Sequence, residues 1–171
     1  MDCMFSITAE TRRAIPDDAE KISHVHAESW RQAYAGIVPY RALARMINRR
    51  GVNWWATAIR RSTIILVAEI DDVIAGYATL GPNRVSTLPF EGEIYEIYLK
   101  PEYQGIGLGT KLFSEARNEL RQRGYKGATV WVLSDNQPAI SFYENSGGRA
   151  IATGCEHFDN EKLQKTAFAW D

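Results

Sequence analysis

Residues 93–113 read Glu-Ile-Tyr-Glu-Ile-Tyr-Leu-Lys-Pro-Glu-Tyr-Gln-Gly-Ile-Gly-Leu-Gly-Thr-Lys-Leu-Phe, and this stretch decides the fold. It opens with Ile94, Tyr95, Ile97, Tyr98 and Leu99, a run rich in β-branched and aromatic residues that predicts a strand. Lys100-Pro101 stops that strand, because proline has no N–H for the ladder and pushes the preceding residue out of the α region. A glycine-rich turn, Gln104 to Gly109, follows. Beyond it Leu108, Leu112, Phe113, Ala116 and Leu120 recur at helical spacing between charged and polar residues.

Strand, glycine turn, helix is an arrangement for holding an anion. The first N–H groups of a helix lack internal partners, and the helix dipole adds partial positive charge there. Glycines let the backbone approach a phosphate without a Cβ in the way. Main-chain N–H groups of Gly105, Ile106, Gly107, Leu108, Gly109 and Thr110 are therefore expected to grip a pyrophosphate, with the Thr110 hydroxyl as an added donor. The plain alternative is a βα turn that needs glycines for its own geometry.

Two nucleotide motifs fail on spacing. A nucleoside triphosphatase loop ends in Gly-Lys-Ser/Thr, whereas Gly109 is followed by Thr110-Lys111. A dinucleotide fold wants Gly-x-Gly-x-x-Gly in its first βα turn, but Gly105-x-Gly107-x-Gly109 has another spacing and lies past mid-chain.

Upstream, the sequence predicts a strand over 6–13, then a helix whose proline and acidic start lies at Ile15–Glu20 and which runs to about Tyr34. A second helical region begins at Pro39 and includes Leu43, Met46 and Ile47. Arg49-Arg50-Gly51 breaks it, and Trp54, Trp55 and Ile59 suggest a third, short helix. Ile64–Ile70 and Val73–Leu80, joined by Asp71-Asp72, read as a β-hairpin, followed by a loop over 81–92. Downstream, Ala128–Leu133 reads as a strand, Pro138–Asn145 as a short helix, and 149–155 with 163–170 as an antiparallel pair. The order implies a mixed, mainly antiparallel sheet with helices on both faces, an α/β fold in one domain over 1–171.

The second informative stretch is Asn136-Gln137-Pro138-Ala139-Ile140-Ser141-Phe142-Tyr143-Glu144-Asn145-Ser146-Gly147. Asn136 precedes the helix and can cap it or offer its amide to a ligand. Ala139 and Tyr143 are four apart and share a face, and the small alanine leaves room for a thin ligand beside the phenol. By itself Tyr143 reads first as a core aromatic with its hydroxyl at the surface.

Taken together, Gln104-x-x-Gly107-x-Gly109 and Asn136-x-x-Ala139-x-x-Phe142-Tyr143-x-x-x-Gly147 resemble the two cofactor motifs of the GNAT superfamily, the Gcn5-related N-acetyltransferases. The resemblance runs from about residue 6 to the end and is sharpest over 93–147. Only this family spacing, beside the glycine turn, reverses the first reading of Tyr143. It implies a central sheet of six to seven strands and acetyl-coenzyme A as co-substrate. It also implies that the strand before the turn splays from its neighbour to admit the pantetheine arm along Ile97, Tyr98 and Leu99. Gln104 to Thr110, Asn136, Ala139 and Tyr143 would complete the cofactor site, and no metal is implied. In such enzymes the first helices wall the acceptor site, which makes Trp30 and Tyr34 candidate substrate contacts.

For transfer to a primary amine of a small molecule or peptide, Tyr143 is the candidate acid and a strand glutamate the candidate base. Glu93 and Glu96 are three apart, so a regular strand would turn them to opposite faces. Glu96 is preferred for the thioester side, and Glu93, at the position of the histone-type general base, is the alternative. The rival from another class is a non-catalytic acyl-coenzyme A sensor.

Composition sets the outer bounds. The chain has 171 residues, 45% hydrophobic and 24% charged, with net charge −1, which disfavours a polyanion partner. Its start lacks the pattern of a signal peptide, and Ile64–Ala68, the longest apolar run, is too short to cross a bilayer. Cys3 and Cys155 lie far apart without metal-ligand spacing, which fits the cytoplasm. His24 and His26, two apart, do not share a helical face and argue against a metal site. The acceptor and the oligomeric state stay open, although dimers are frequent in the resembling family.

Overall fold

A computed structural model describes residues 8–61 and 63–171; Cys3 and the start of the first expected strand lie outside them. The chain runs β1 (Ala9–Arg13), α1 (Ala19–Tyr34), α2 (Tyr40–Arg49), α3 (Val52–Arg60), β2 (Ile64–Ile70) and β3 (Val73–Pro82). It continues through β4 (Gly92–Leu99), α4 (Leu108–Gln122), β5 (Ala128–Leu133), α5 (Gln137–Asn145), β6 (Arg149–Phe158) and β7 (Glu161–Trp170). One sheet contains all seven strands in the order β1-β2-β3-β4-β5-β7-β6. Neighbours are antiparallel except β4 and β5. The α/β fold and strand count match the sequence expectation, with β6 and β7 longer than predicted.

Local chemistry explains several boundaries. The β2–β3 hairpin turns on Asp71 and Asp72, both in the left-handed region at φ 47° and 65°. A two-residue turn of that hand suits the strand twist, and aspartate tolerates it better than most residues. Asn136 caps α5, its side-chain oxygen accepting from the Ala139 N–H at 3.4 Å.

The sheet buries both faces. On one, Leu112, Phe113, Ala116 and Leu120 of α4 pack on Leu66, Ala78, Leu80 and Ile94. On the other, Ile22 and Val25 of α1 and Trp55 of α3 cover Ile65, Val67 and Tyr77. α2 completes this second face by packing Leu43 and Ile47 against Leu133 and Phe158.

Two irregularities in β4 shape the site. Its parallel pairing with β5 extends only over Gly92–Ala128 and Glu93–Thr129, after which the two strands part. Opposite β3, the register shifts so that Thr79 pairs with Glu96 while Leu80 pairs with Ile94, leaving Tyr95 as the extra residue of a bulge. The bulge corrects one expectation. Glu93 pairs with Gly81 and Glu96 with Thr79, so both glutamates lie on the α1 face instead of on opposite faces.

Gly76 shows how tightly the end of β4 is held. A Cβ there would lie 2.4 Å from Leu99 Cδ2 and 2.6 Å from the Tyr98 carbonyl oxygen. Gly76→Ala must displace backbone and should lower stability by about 1–3 kcal/mol, read from the midpoint of chemical denaturation. An unchanged midpoint would contradict this packing.

Candidate active site

Where β4 and β5 part, a cleft of ≈ 710 Å³ opens between the end of α1, the start of α4, and α5. The edge of β4 forms its floor through Ile97, Tyr98 and Leu99. Gln104, Gly105, Gly107, Gly109 and Thr110 close one end, and Asn136, Ala139 and Tyr143 lie along the α5 side. Ile106 and Leu108 are the exceptions among the predicted cofactor residues. The Ile106 side chain is 63% exposed, and Leu108 is buried against Ile70 and Ala75, so only their main chains belong to the turn.

The turn is built to present donors. Gly105 and Gly107 sit at φ 80° and 86°, and Gly107 is the N-cap of α4. Neither would clash through an added Cβ, so glycine is favoured there by backbone conformation. Among the described residues, the N–H groups of 105–110 meet no acceptor, and the first bond of α4 runs from Lys111 N–H to Gly107 carbonyl at 3.1 Å. Gln104 ties the turn down by donating to Gln32 Oε1 at 3.0 Å and to the Leu99 carbonyl at 3.2 Å. Six free donors at a helix N-terminus, beside an open strand edge, fit a pyrophosphate followed by a narrow arm.

Tyr143 packs its ring against Phe142, Phe113 and Trp170. Burial, and then the neighbouring Tyr34, hold its hydroxyl above the usual tyrosine range, so it stays protonated at neutral pH. Across the cleft, Tyr34 and Tyr98 share a short hydroxyl–hydroxyl hydrogen bond. Burial pushes Tyr34 up to about 12 and Tyr98 well above its ordinary value.

A second cavity of ≈ 390 Å³ lies on the α1 face, with Trp30, Glu93, Arg84 and Phe158 among its walls. Tyr34, Tyr95, Glu96, Tyr98, Trp131 and Val132 line both spaces, so the cavities meet there. Glu93 is 1% exposed beneath Arg84, accepting from its main-chain N–H at 3.0 Å and from Nη2 at 2.6 Å. Glu96 accepts from Tyr77 Oη at 2.8 Å and forms an ion pair with Arg50. Burial, and then Glu96, hold Tyr77 well above the ordinary tyrosine value.

Arg50, Tyr77, Arg84 and Trp131 escaped the sequence reading. Arg50 registered there only as part of a helix break. The alternation that places Tyr77 on the Glu96 face becomes informative only once the β3–β4 register is known. His26 is fully buried beside Trp30 and Trp55, while Cys155 is exposed on β6. Among the described residues, no group of His, Cys, Asp or Glu side chains is placed to hold a metal ion, and no helix is long and apolar enough to cross a membrane.

A splayed strand pair with a glycine turn at its mouth and a second cavity meeting it side-on is the plan of an acyl-coenzyme A-dependent N-acyltransferase. Residues 22–147 match the model of the acetyltransferase (GNAT) family, and the chain belongs to that family. It is 29% identical over 159 residues to an uncharacterized N-acetyltransferase of Bacillus subtilis, covering 93% of this chain and 91% of that one. It is 26% identical over 157 residues to a spermidine N(1)-acetyltransferase of Thermoplasma acidophilum, covering 91% and 98%. The fold superposes on the PaiA N-acetyltransferase of Thermoplasma acidophilum, solved with coenzyme A. The TM-score is 0.74 at 23% identity, covering 94% of this chain and 98% of that one.

Proposed function

We propose that this enzyme transfers the acetyl group of acetyl-coenzyme A to a primary amine of a small molecule or peptide, by direct attack with both substrates bound. The observation that carries the reading is the shared wall of the two cavities. A thioester in the larger one and an amine in the smaller one would meet beside Glu96. The spermidine acetyltransferase relative supports an amine acceptor.

The N–H groups of 105–110 hold the pyrophosphate, and the exposed edge of β4 at Ile97 to Leu99 binds the pantetheine arm and polarises the thioester oxygen. Asn136 and Ala139 complete the arm's other wall, while Trp30 and Tyr34 contact the acceptor. Acetyl-coenzyme A supplies an acyl carbon activated by a thiol leaving group.

An alkyl ammonium of pKa roughly 10.4 must lose a proton before attack. Glu96 takes it, because Glu96 reaches both cavities whereas Glu93 lines only the acceptor side. The new C–N bond forms as the C–S bond breaks, Tyr143 gives its proton to the departing sulfur, and the second proton of the attacking nitrogen leaves to solvent. Solvent then restores the tyrosine proton and removes the one on Glu96.

A panel of polyamines, amino acids and peptide N-termini assayed for thiol release, alongside calorimetry with acetyl-coenzyme A, tests this reading. Turnover on at least one primary amine is expected. Binding of the cofactor without turnover on any of them would favour the sensor, and no binding would remove the cleft assignment itself.

A further inference from the structure

Arg50 has a setting that helix termination does not require. It follows the last turn of α2, where its main-chain N–H donates to the Ile47 carbonyl at 3.2 Å. Its guanidinium carbon lies 4.6 Å from the Trp54 ring centroid, 5.3 Å from Trp30 and 6.0 Å from Trp55. Three indoles from α1 and α3 thus surround one cation, a setting that suits a planar, weakly hydrated guanidinium better than an ammonium. From this box Nη1 donates to Glu96 Oε1, while Tyr77 Oη donates to Oε2.

The titratable groups around the box leave Glu96 as its main anionic partner. His26, on α1 beside Trp30, is held neutral down to about pH 3 by burial and then by Arg50 itself. Tyr77 is neutral and fully buried. Glu93, also on the α1 face of β4, is engaged by Arg84. Each oxygen of Glu96 therefore receives one donor and retains one lone pair, with the carboxylate at the junction of the two cavities.

We propose that Arg50 is a positioning residue for the acetyl transfer: anchored in the Trp30–Trp54–Trp55 box, it fixes the Glu96 carboxylate at the meeting point of the acyl and acceptor cavities. This rests on Glu96 being the proton acceptor. The physical reason for such a brace is the bulge at Tyr95, which interrupts the β3 pairing immediately before Glu96, next to an edge that β5 has already left. A side chain there needs support from outside the sheet.

The test is a cycle of Arg50→Met, Glu96→Gln and the double variant, with kcat and KM measured for both substrates. Arg50→Met is expected to lower kcat about 10-fold or more, leave the KM for acetyl-coenzyme A within about 2-fold, and regain activity with added guanidinium. In the Glu96→Gln background the same change should cost little further. Equal, multiplicative losses in both backgrounds, without guanidinium rescue, would overturn the positioning role while leaving Glu96 as base. Full activity of Glu96→Gln would instead overturn the base assignment, and the proposal with it. Should Arg50→Met fail to fold, Arg50→Lys carries the same cycle, because it keeps the charge and loses the planar fork.

Discussion

Tyr143→Phe is expected to lower thiol release by about 10²-fold while leaving acetyl-coenzyme A affinity almost unchanged. The ring packs against Phe113, Phe168 and Trp170, and phenylalanine keeps those contacts. What disappears is the hydroxyl of a residue that lines the cleft between β4 and α5. A thiol leaving group has a pKa of about 8.5, so an alkylthiolate expelled at neutral pH gains from a proton delivered as the bond breaks. Burial and the nearby Tyr34 keep Tyr143 protonated beyond the usual tyrosine range. Any alkaline fall in rate below about pH 10 should therefore come from another group. Measuring kcat across pH 6–10, with calorimetry for the cofactor, checks both halves. Near-wild-type turnover in Tyr143→Phe would remove the acid role.

The second large effect concerns stability in acid. His26 is fully buried, and among the described residues neither ring nitrogen finds a partner. Burial, then Arg50, lower its pKa from 6.5 to about 3. The sign follows from linkage. Between those two values the unfolded chain binds a proton that the folded chain refuses, so stability falls as pH drops. The slope from this residue alone is about 1.4 kcal/mol per pH unit. Between pH 7 and 4.5 the wild type should lose about 2–3 kcal/mol more than His26→Leu. Denaturant midpoints at several pH values read this difference. Parallel curves for the two proteins would show that His26 is not excluded from protonation by the fold.

The two effects separate the two faces of the sheet. Tyr143 stands on the α4 and α5 side, where the cleft is walled by local motifs. His26 belongs to the α1 and α3 side, where Trp30, Trp55 and Tyr77 surround it within 6.5 Å between ring centroids. Excluding a proton from His26 keeps a second cation away from Arg50, and so protects the ion pair with Glu96.

Much of the architecture was legible because its causes are local. Lys100-Pro101 ends β4 whatever surrounds it, since proline carries no N–H. Gly105 and Gly107 occupy a left-handed backbone that glycine adopts without strain, and Asp71-Asp72 make the hairpin turn that their side chains tolerate. Asn136 caps α5 with its own side chain, within three residues of its partner. The apolar spacing of α4 predicted the face that the sheet buries, because a helix repeats every 3.6 residues regardless of its partner.

The direction of Glu93 and Glu96 was of another kind. A regular strand sends residues three apart to opposite faces, and only pairing with β3 reveals the bulge at Tyr95 that brings both to one. The brace on Glu96 comes from Arg50, 46 residues away in sequence, and from Tyr77, 19 away. Sequence by itself determined the elements, the glycine turn and most of the residues that line the cleft where β4 and β5 part, since each follows from backbone preference or short-range periodicity. Tertiary structure alone decided which carboxylate reaches both cavities and what holds it there, because strand register and side-chain packing depend on segments that the chain brings together only on folding.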